Sequence, residues 1–259
     1  MTAALHVLEW KLMGFRRQWR ATLPTAVLNP LLLLVAMGIG VGSIIDDSTG
    51  ASRAAFGGAS YLAFVGTGLL ATTAMTVTSM ECCWPVLYGF VRFRSFQVMA
   101  STPTRPIDIV VGIALFVWLR AAVAACGVAM VLLFVAETRS TGLVLAVVFA
   151  ATSALALGMP MVAFAATRRG QDSFPLIQRF VVTPLLLFGG ALFPVDDLPV
   201  WVAAVVQATP LWHGIELCRG AVLSTLGGWA TAGHLAYLSA WVGAGILASA
   251  QTFRRRLEA

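Results

Sequence analysis

The sequence predicts an all-α integral membrane protein with about six transmembrane helices, and three observations carry that prediction. Apolar residues make up 59% of the 259-residue chain and charged residues 11%, against about 25% charged in an ordinary soluble domain; mean hydropathy is +0.88. About six apolar runs, 24–45, 60–80, 107–136, 141–167, 175–192 and 230–251, are long enough to cross a hydrocarbon core of about 30 Å. Basic residues are also segregated. Lys11, Arg16, Arg17, Arg20, Arg92, Arg94, Arg105, Arg168, Arg169 and Arg254, Arg255 and Arg256 fall at one set of span ends, and Arg53, Arg139 and Arg219 at the other. The Lys/Arg-rich side is the cytoplasmic one, so an even number of spans places both termini in the cytoplasm. Asp46, Asp47, Glu137, Asp196 and Asp197 then lie outside. The net charge of +6 is thus a topology signal with affinity for anionic lipid. It is not a nucleic-acid footprint, because the spans leave no soluble domain to hold a duplex.

Taken in order, residues 1–22 carry Leu5, Leu8, Leu12 and Phe15 at helical spacing among Trp10, Lys11, Arg16, Arg17, Trp19 and Arg20. That pattern predicts an amphipathic helix in the interface, either a topology anchor or a functional element. The apolar run after Arg20 is longer than the core of a cleavable signal and lacks a clear small-residue cleavage site, so it is expected to stay as the first span. Gly38 and Gly42, at G-x-x-x-G spacing, allow close approach of another helix, of this subunit or of a second one. In the second span Thr72, Thr76 and Ser79 share a helix face, with Thr73 beside them. Such a stripe either meets a substrate's hydroxyls or bonds back to its own backbone.

Between spans two and three, in 81–106, Trp84, Leu87, Tyr88, Val91 and Phe96 interleave with Arg92, Arg94 and Gln97, and Pro103, Arg105 and Pro106 stop the pattern. A short amphipathic helix at the cytoplasmic face is expected. It is either a lever docking into a partner or a positioning element for the spans. Arg120 sits well inside span three, where a bare cation costs about 2.5 to 3.5 kcal/mol. It must face a carboxylate, with Glu81 and Asp108 as alternatives, or carbonyls, or a wet cavity. In span five Phe180, Thr183 and Leu187 either form a hydrophobic gate or pack against lipid. Residues 193–226 are too polar and Pro-broken to span, yet too apolar for a loop. They are expected to form two short re-entrant helices, a lid buried in protein or lining water. Its candidates for the extracellular gate are Phe193, Asp196, His213, Glu216 and Arg219. His213 and Glu216 share a face and are expected to pair, with Arg219 near the same turn. The set reads as a polar cluster holding the gate or as a substrate site.

Several function classes lack their residues. The single lysine, Lys11, has no glycine-rich loop before it, so the phosphate-cradling P-loop is absent from this sequence. No G-x-S-x-G elbow or H-E-x-x-H pair occurs, and His6, His213 and His234 are scattered. Cys82, Cys83, Cys126 and Cys218 show no metal-ligand spacing and read as small buried hydrophobes. Too few carboxylates or histidines lie in the spans for a proton relay or a membrane-embedded transferase. No catalytic residue, metal site or cofactor is expected in this chain. Transport is either powered by another chain or passive.

The motifs together resemble ABC-2 type permeases of the nodulation-protein-J and daunorubicin-resistance group, over nearly the whole length. The likeness is sharpest in YLAFVGTGLLATTAMTVTSME, in TPTRPIDIVVG, in FPVDDLPVW followed by PLWHGIELCRG, and in the tail FRRRLEA. The resemblance implies one membrane domain over 1–259, facing a second permease subunit, identical or paralogous, in the bacterial cytoplasmic (inner) membrane. It implies separate cytoplasmic ABC ATPase subunits, which would carry ATP and Mg. It makes the 81–106 segment a coupling helix, with Glu81, Tyr88, Arg92, Phe93, Arg94 and Phe96 as candidates for transmitting ATPase closure, and sets the N-terminal helix against the ATPase. It draws a pathway between subunits along spans one, two and five, which would include Thr72, Thr73, Thr76, Ser79, Phe180, Thr183 and Leu187. The implied activity is export of an amphipathic or hydrophobic compound such as a drug, lipid or glycolipid. A passive channel or assembly factor without an ATPase is the alternative.

Overall fold

The computed structural model of the chain describes residues 2–41, 56 and 58–258. Gly42, Asp46, Asp47, Arg53 and the end of the predicted first span lie outside the described residues, as do the side chains of Arg17, Trp19 and Arg20. The described residues form helices and turns with no strand. The helices are α1 (Thr2–Leu34, continued by a π-helical stretch Val35–Val41), α2 (Tyr61–Val91), α3 (Ser95–Ala100), α4 (Pro106–Leu132) and α5 (Gly142–Thr167). After these come α6 (Phe174–Phe188), α7 (Val200–Gln207), α8 (Pro210–Val222) and α9 (Gly228–Glu258).

Among the described residues three helices, α2, α4 and α5, are long and apolar enough to cross a membrane, against six apolar runs in the sequence. The shortfall has local causes. The predicted fifth span is the short helix α6, interrupted by a π turn over Gln178–Val182 and ended at Gly189 and Gly190, the latter at φ +91°. The predicted first span is shared between the end of α1, the π-helical stretch Val35–Val41 and residues outside those described, and the predicted sixth lies within α9.

At the centre, α5 packs against α2, α4, α8 and α9. Its buried face is made of small residues, Ala146, Ala150, Ala151, Ser153, Ala154, Gly158 and Ala165 among them. Without a hydrophobic drive between helices in lipid, close backbone approach supplies the packing energy, and small residues permit it. A Cβ on Gly158 would collide with Thr78, and one on Gly214 of α8 would collide with Ser153.

Two predicted boundaries are corrected. Residues 2–22 are the first part of the longer continuous helix α1, with no break at residue 22; in this part Ala4 and Val7 are buried and Leu5 is exposed. The reason is the neighbour: Gly112 of α4 leaves room that a Cβ would lose to Val7 and to the carbonyl of Ala4. The helix predicted over 81–106 is also divided differently. Nothing between Glu81 and Val91 stops α2, which absorbs Pro85 and runs on to Val91. The chain breaks at Arg94, held in the left-handed region at φ 49°, and only Ser95–Ala100 forms a new short helix.

Candidate functional site

Polar and aromatic chemistry concentrates at three levels along the helices. At the turn after α2, Arg92, Phe93 and Arg94 are exposed, Phe93 at 67% of its surface, and the Arg92 guanidinium lies 5.8 Å from the Phe93 ring. Phe96, one turn on, does the opposite work. It is fully buried, with its ring 4.8 Å from Phe90 and 5.1 Å from Phe253 of α9, over Gly89, where a side chain would collide with it. Gln97 Nε2 donates to the Phe90 carbonyl. The tail is bound to the same corner. The Arg256 guanidinium sits 4.3 Å from the Phe90 ring and donates to the last carbonyls of α5 at Ala166, which a cation satisfies well at a helix C-terminus. Tyr88 donates its hydroxyl to Gln171 Oε1 between α5 and α6, at 2.9 Å. The turn is thus a rigid pedestal presenting two arginines and a phenylalanine.

The six proposed coupling residues therefore divide. Arg92, Phe93 and Arg94 face outward, Phe96 anchors the turn, Tyr88 ties it to the next connection, and Glu81 is elsewhere. Glu81 lies ten residues before the end of α2 and accepts from Arg120 Nε at 3.1 Å and Nη2 at 2.9 Å. Arg120 is only 8% exposed, and its guanidinium also lies 4.2 Å from the Phe15 ring of α1. Of the two acids open to Arg120 from sequence, Asp108 is engaged at its own helix start, where it accepts from the Arg105 backbone N–H.

In α2 the hydroxyl stripe is turned inward. Thr72 donates to Gly68, Thr76 to Thr72 and Ser79 to Thr76; Thr72 and Ser79 are buried and Thr73 is half-buried. Ser79 in turn accepts from Gln178 Nε2 of α6 at 3.0 Å. Of the two alternatives open from sequence, the hydroxyls of Thr72, Thr76 and Ser79 bond back to their own helix. On α6 the arrangement is reversed: Phe180, Thr183 and Leu187 are exposed, although Thr183 spends its hydroxyl on the Gln178 carbonyl across the π turn.

At the other end, α7 leaves Val200, Trp201 and Val205 exposed, whereas α8 packs on α5 and α2. Arg219 of α8 donates to Glu216 Oε1 at 2.7 Å and to the Gly190 carbonyl at 2.8 Å, and lies 3.8 Å from the Phe64 ring. His213 does not pair with Glu216, as its spacing suggested. The arginine takes the carboxylate, and His213 Nδ1 meets His234 Nδ1 of α9 at 2.6 Å, with its ring stacked 4.0 Å from Tyr237. Burial first, and the neighbouring His234 second, push His213 down to about 4. Phe193 packs edge-on against Phe188, and Asp196 is exposed on a 3-10 turn, Val195–Asp197. No group of three or more potential metal ligands occurs among the described residues. Cys82, Cys83 and Cys218 are buried and Cys126 is exposed.

Sequence reasoning missed Gln178, His234, Tyr237, Phe253 and Arg256. Gln178 carried a usable signal, an amide inside an apolar run that requires a partner. The others are assembled by contacts between distant segments.

Comparison with known proteins places most of the chain in one family. The ABC-2 type transporter family model matches residues 4–223, from α1 through the turn at Arg94 to the end of α8. Nodulation protein J of Rhizobium leguminosarum bv. viciae is 30% identical over 235 residues, 88% of this chain and 85% of that protein. The protein of the same name from Rhizobium leguminosarum bv. trifolii is 31% identical over 198 residues, 75% and 71% of the two chains. That of Bradyrhizobium diazoefficiens is 26% identical over 248 residues, covering 95% and 90%.

Proposed function

This chain belongs to the ABC-2 type transporter family, and on that premise we propose that it is the membrane-spanning permease subunit of an ATP-driven exporter. It would work with separate ATPase subunits and with a second permease subunit, in a bacterial cytoplasmic membrane, with both termini inside. The cargo is an amphipathic or hydrophobic compound such as a drug, lipid or glycolipid, moved outward by alternating access. In this reading the free energy comes from nucleotide binding on the partner, since only differential interaction with two states can shift their balance. The six apolar runs of the sequence would supply the spans, with residues 193–226 as the re-entrant outer lid.

One observation carries the reading. The exposed Arg92, Phe93 and Arg94 stand on a turn whose other residues are locked by Phe96, Tyr88 and the α9 tail. A docking turn needs both properties. The contact residues must be free, and the support must be stiff enough to pass a push into α2 rather than absorb it. Arginines suit pairing with a partner's carboxylates through two parallel hydrogen bonds, and the aromatic side chain is a typical interface anchor. The exposed Phe180, Thr183 and Leu187 face of α6 is our candidate for the pathway or subunit seam.

The test is affinity purification of the chain from native membranes in mild detergent, with identification of co-eluting proteins and an ATPase assay. A P-loop ATPase in near-equal amount is expected, and a related permease in the same fraction would distinguish a heterodimer from a homodimer. The double change Arg92→Glu and Arg94→Glu should abolish substrate-stimulated ATPase while shifting stability by no more than about 0.5 kcal/mol, as for exposed positions generally. A stable complex with no ATPase would replace this reading with the passive channel or assembly factor.

A further inference from the structure

A cavity of about 510 Å³ opens between α1, α2, α4 and the turn after α2. Its lining includes Trp10, Lys11, Phe15, Glu81, Phe93 and Phe116. Trp10 and Phe93 are exposed at its mouth, while the interior is closed by Phe116 and by Glu81 with its partner Arg120.

The charges inside do not balance. Glu81 is taken up by Arg120, from which it accepts twice, and it makes no ion pair with Lys11. Lys11 Nζ has no hydrogen-bond acceptor among the described residues and lies 5.8 Å from the Trp10 ring and 5.4 Å from the Phe116 ring. Aromatic faces attract an ammonium but replace only part of its hydration. The cluster is left one positive charge in excess, with a donor aimed into an aromatic-walled space. An anion with an apolar body would satisfy both features at once.

We propose that this cavity binds one anionic phospholipid of the cytoplasmic leaflet, its phosphate on Lys11 and the first methylenes of its chains against Trp10, Phe15 and Phe116. Tryptophan at the mouth is consistent with a membrane-interface level, and anionic lipids are concentrated in that leaflet. The lipid would bridge α1 to the end of α2 and so sit directly behind the Arg92 to Arg94 turn. The proposal rests on the membrane reading of the chain, but neither on export nor on an ATPase partner.

The experiment uses the full chain in phosphatidylcholine nanodiscs doped with a phosphatidylglycerol that carries a photoreactive diazirine near the head of one acyl chain. Labelling should fall on residues 10–15 and around Phe116. Unlabelled phosphatidylglycerol should compete about fivefold better than phosphatidylcholine, the preference one well-placed cation gives. Lys11→Met should erase that preference, Lys11→Arg should keep it, and Arg254→Met, on the exposed tail, should leave it unchanged. Labelling confined to other surfaces, equal competition by the two lipids, or a preference that survives Lys11→Met would each overturn the proposal. Competition by sodium oleate as strong as by phosphatidylglycerol would also overturn it, by assigning the seat to a fatty acid. Should Lys11→Met not fold, the wild-type labelling pattern and the competition ratio decide alone.

Discussion

Arg120 and Arg219 are two buried guanidiniums built from the same parts, a carboxylate and an aromatic face, at opposite ends of the helix cluster. Arg120 of α4 takes its carboxylate from α2, thirty-nine residues away in sequence, and its ring, Phe15, from α1. Arg219 takes its carboxylate from its own helix at i−3, and reaches α2 only through the Phe64 ring and the α6 end only through the Gly190 carbonyl. The first ion pair therefore clamps helices together. In the second, the carboxylate neutralises, and the ring and carbonyl do the clamping. The Arg120 end is fixed by charge pairing between elements, and the α8 end is held by weaker contacts that can be exchanged.

The largest expected effect tests the first half of this contrast. Arg120→Leu should leave membrane insertion intact but cost about 3 to 5 kcal/mol of stability, because it strands a largely buried Glu81 without its partner. Glu81→Leu in the same background should recover most of that loss, since replacing both members of a buried pair is often nearly neutral. Thermal unfolding of the detergent-solubilised single and double variants gives the cycle. Additive losses would mean that the two residues are not coupled.

At α8 the order of sensitivities should change. Arg219→Leu should cost about 1 to 3 kcal/mol through the unpaired Gly190 carbonyl and the lost stacking on Phe64. Glu216→Gln should cost no more than about 1 kcal/mol, because Glu216 is 35% exposed and such pairs contribute little. The same unfolding assay compares them. A Glu216→Gln loss as large as that of Arg219→Leu would make the two arginine sites equivalent and erase the contrast.

How much of this was legible in the sequence follows from the solvent. Composition and run length reveal helices in lipid because every backbone group must be satisfied within its own segment. They do not reveal which face is buried. Helical spacing marked Leu5, Leu8, Leu12 and Phe15 as one apolar side of α1, but which residues meet α4 could not be read from it, and these are Ala4 and Val7. Arg120 announced that it needed a partner, yet choosing Glu81 over Asp108 required the register of α2 against α4. The His213 to His234 contact was illegible for the same reason, since the two residues lie on different helices. The short helix expected over 81–106 was stopped at Pro103 to Pro106, and the break at Arg94, which divides that segment, was not legible. Aromatic and basic interleaving begins near Trp84, while the helix itself has no reason to stop until Arg94.

The smallest expected effect concerns the outer end alone. His213 is packed against His234, Tyr237 and Trp212, with Glu216 and Arg219 paired to each other on its own helix. A contact between two imidazole nitrogens needs one donor and one acceptor, so it holds with one shared proton and fails when both rings are charged. His213 is lowered from 6.5 to about 4, so folding favours its neutral form. Its contribution is present in full above pH 6.5 and is lost progressively as the pH falls toward about 4. Hydrogen exchange along α8 should therefore accelerate across that window while the α2 to α4 clamp stays protected. His213→Gln should flatten the profile at α8 only. Exchange that accelerates equally at both ends would mean that acid loosens the whole cluster and that α8 has no separate hold.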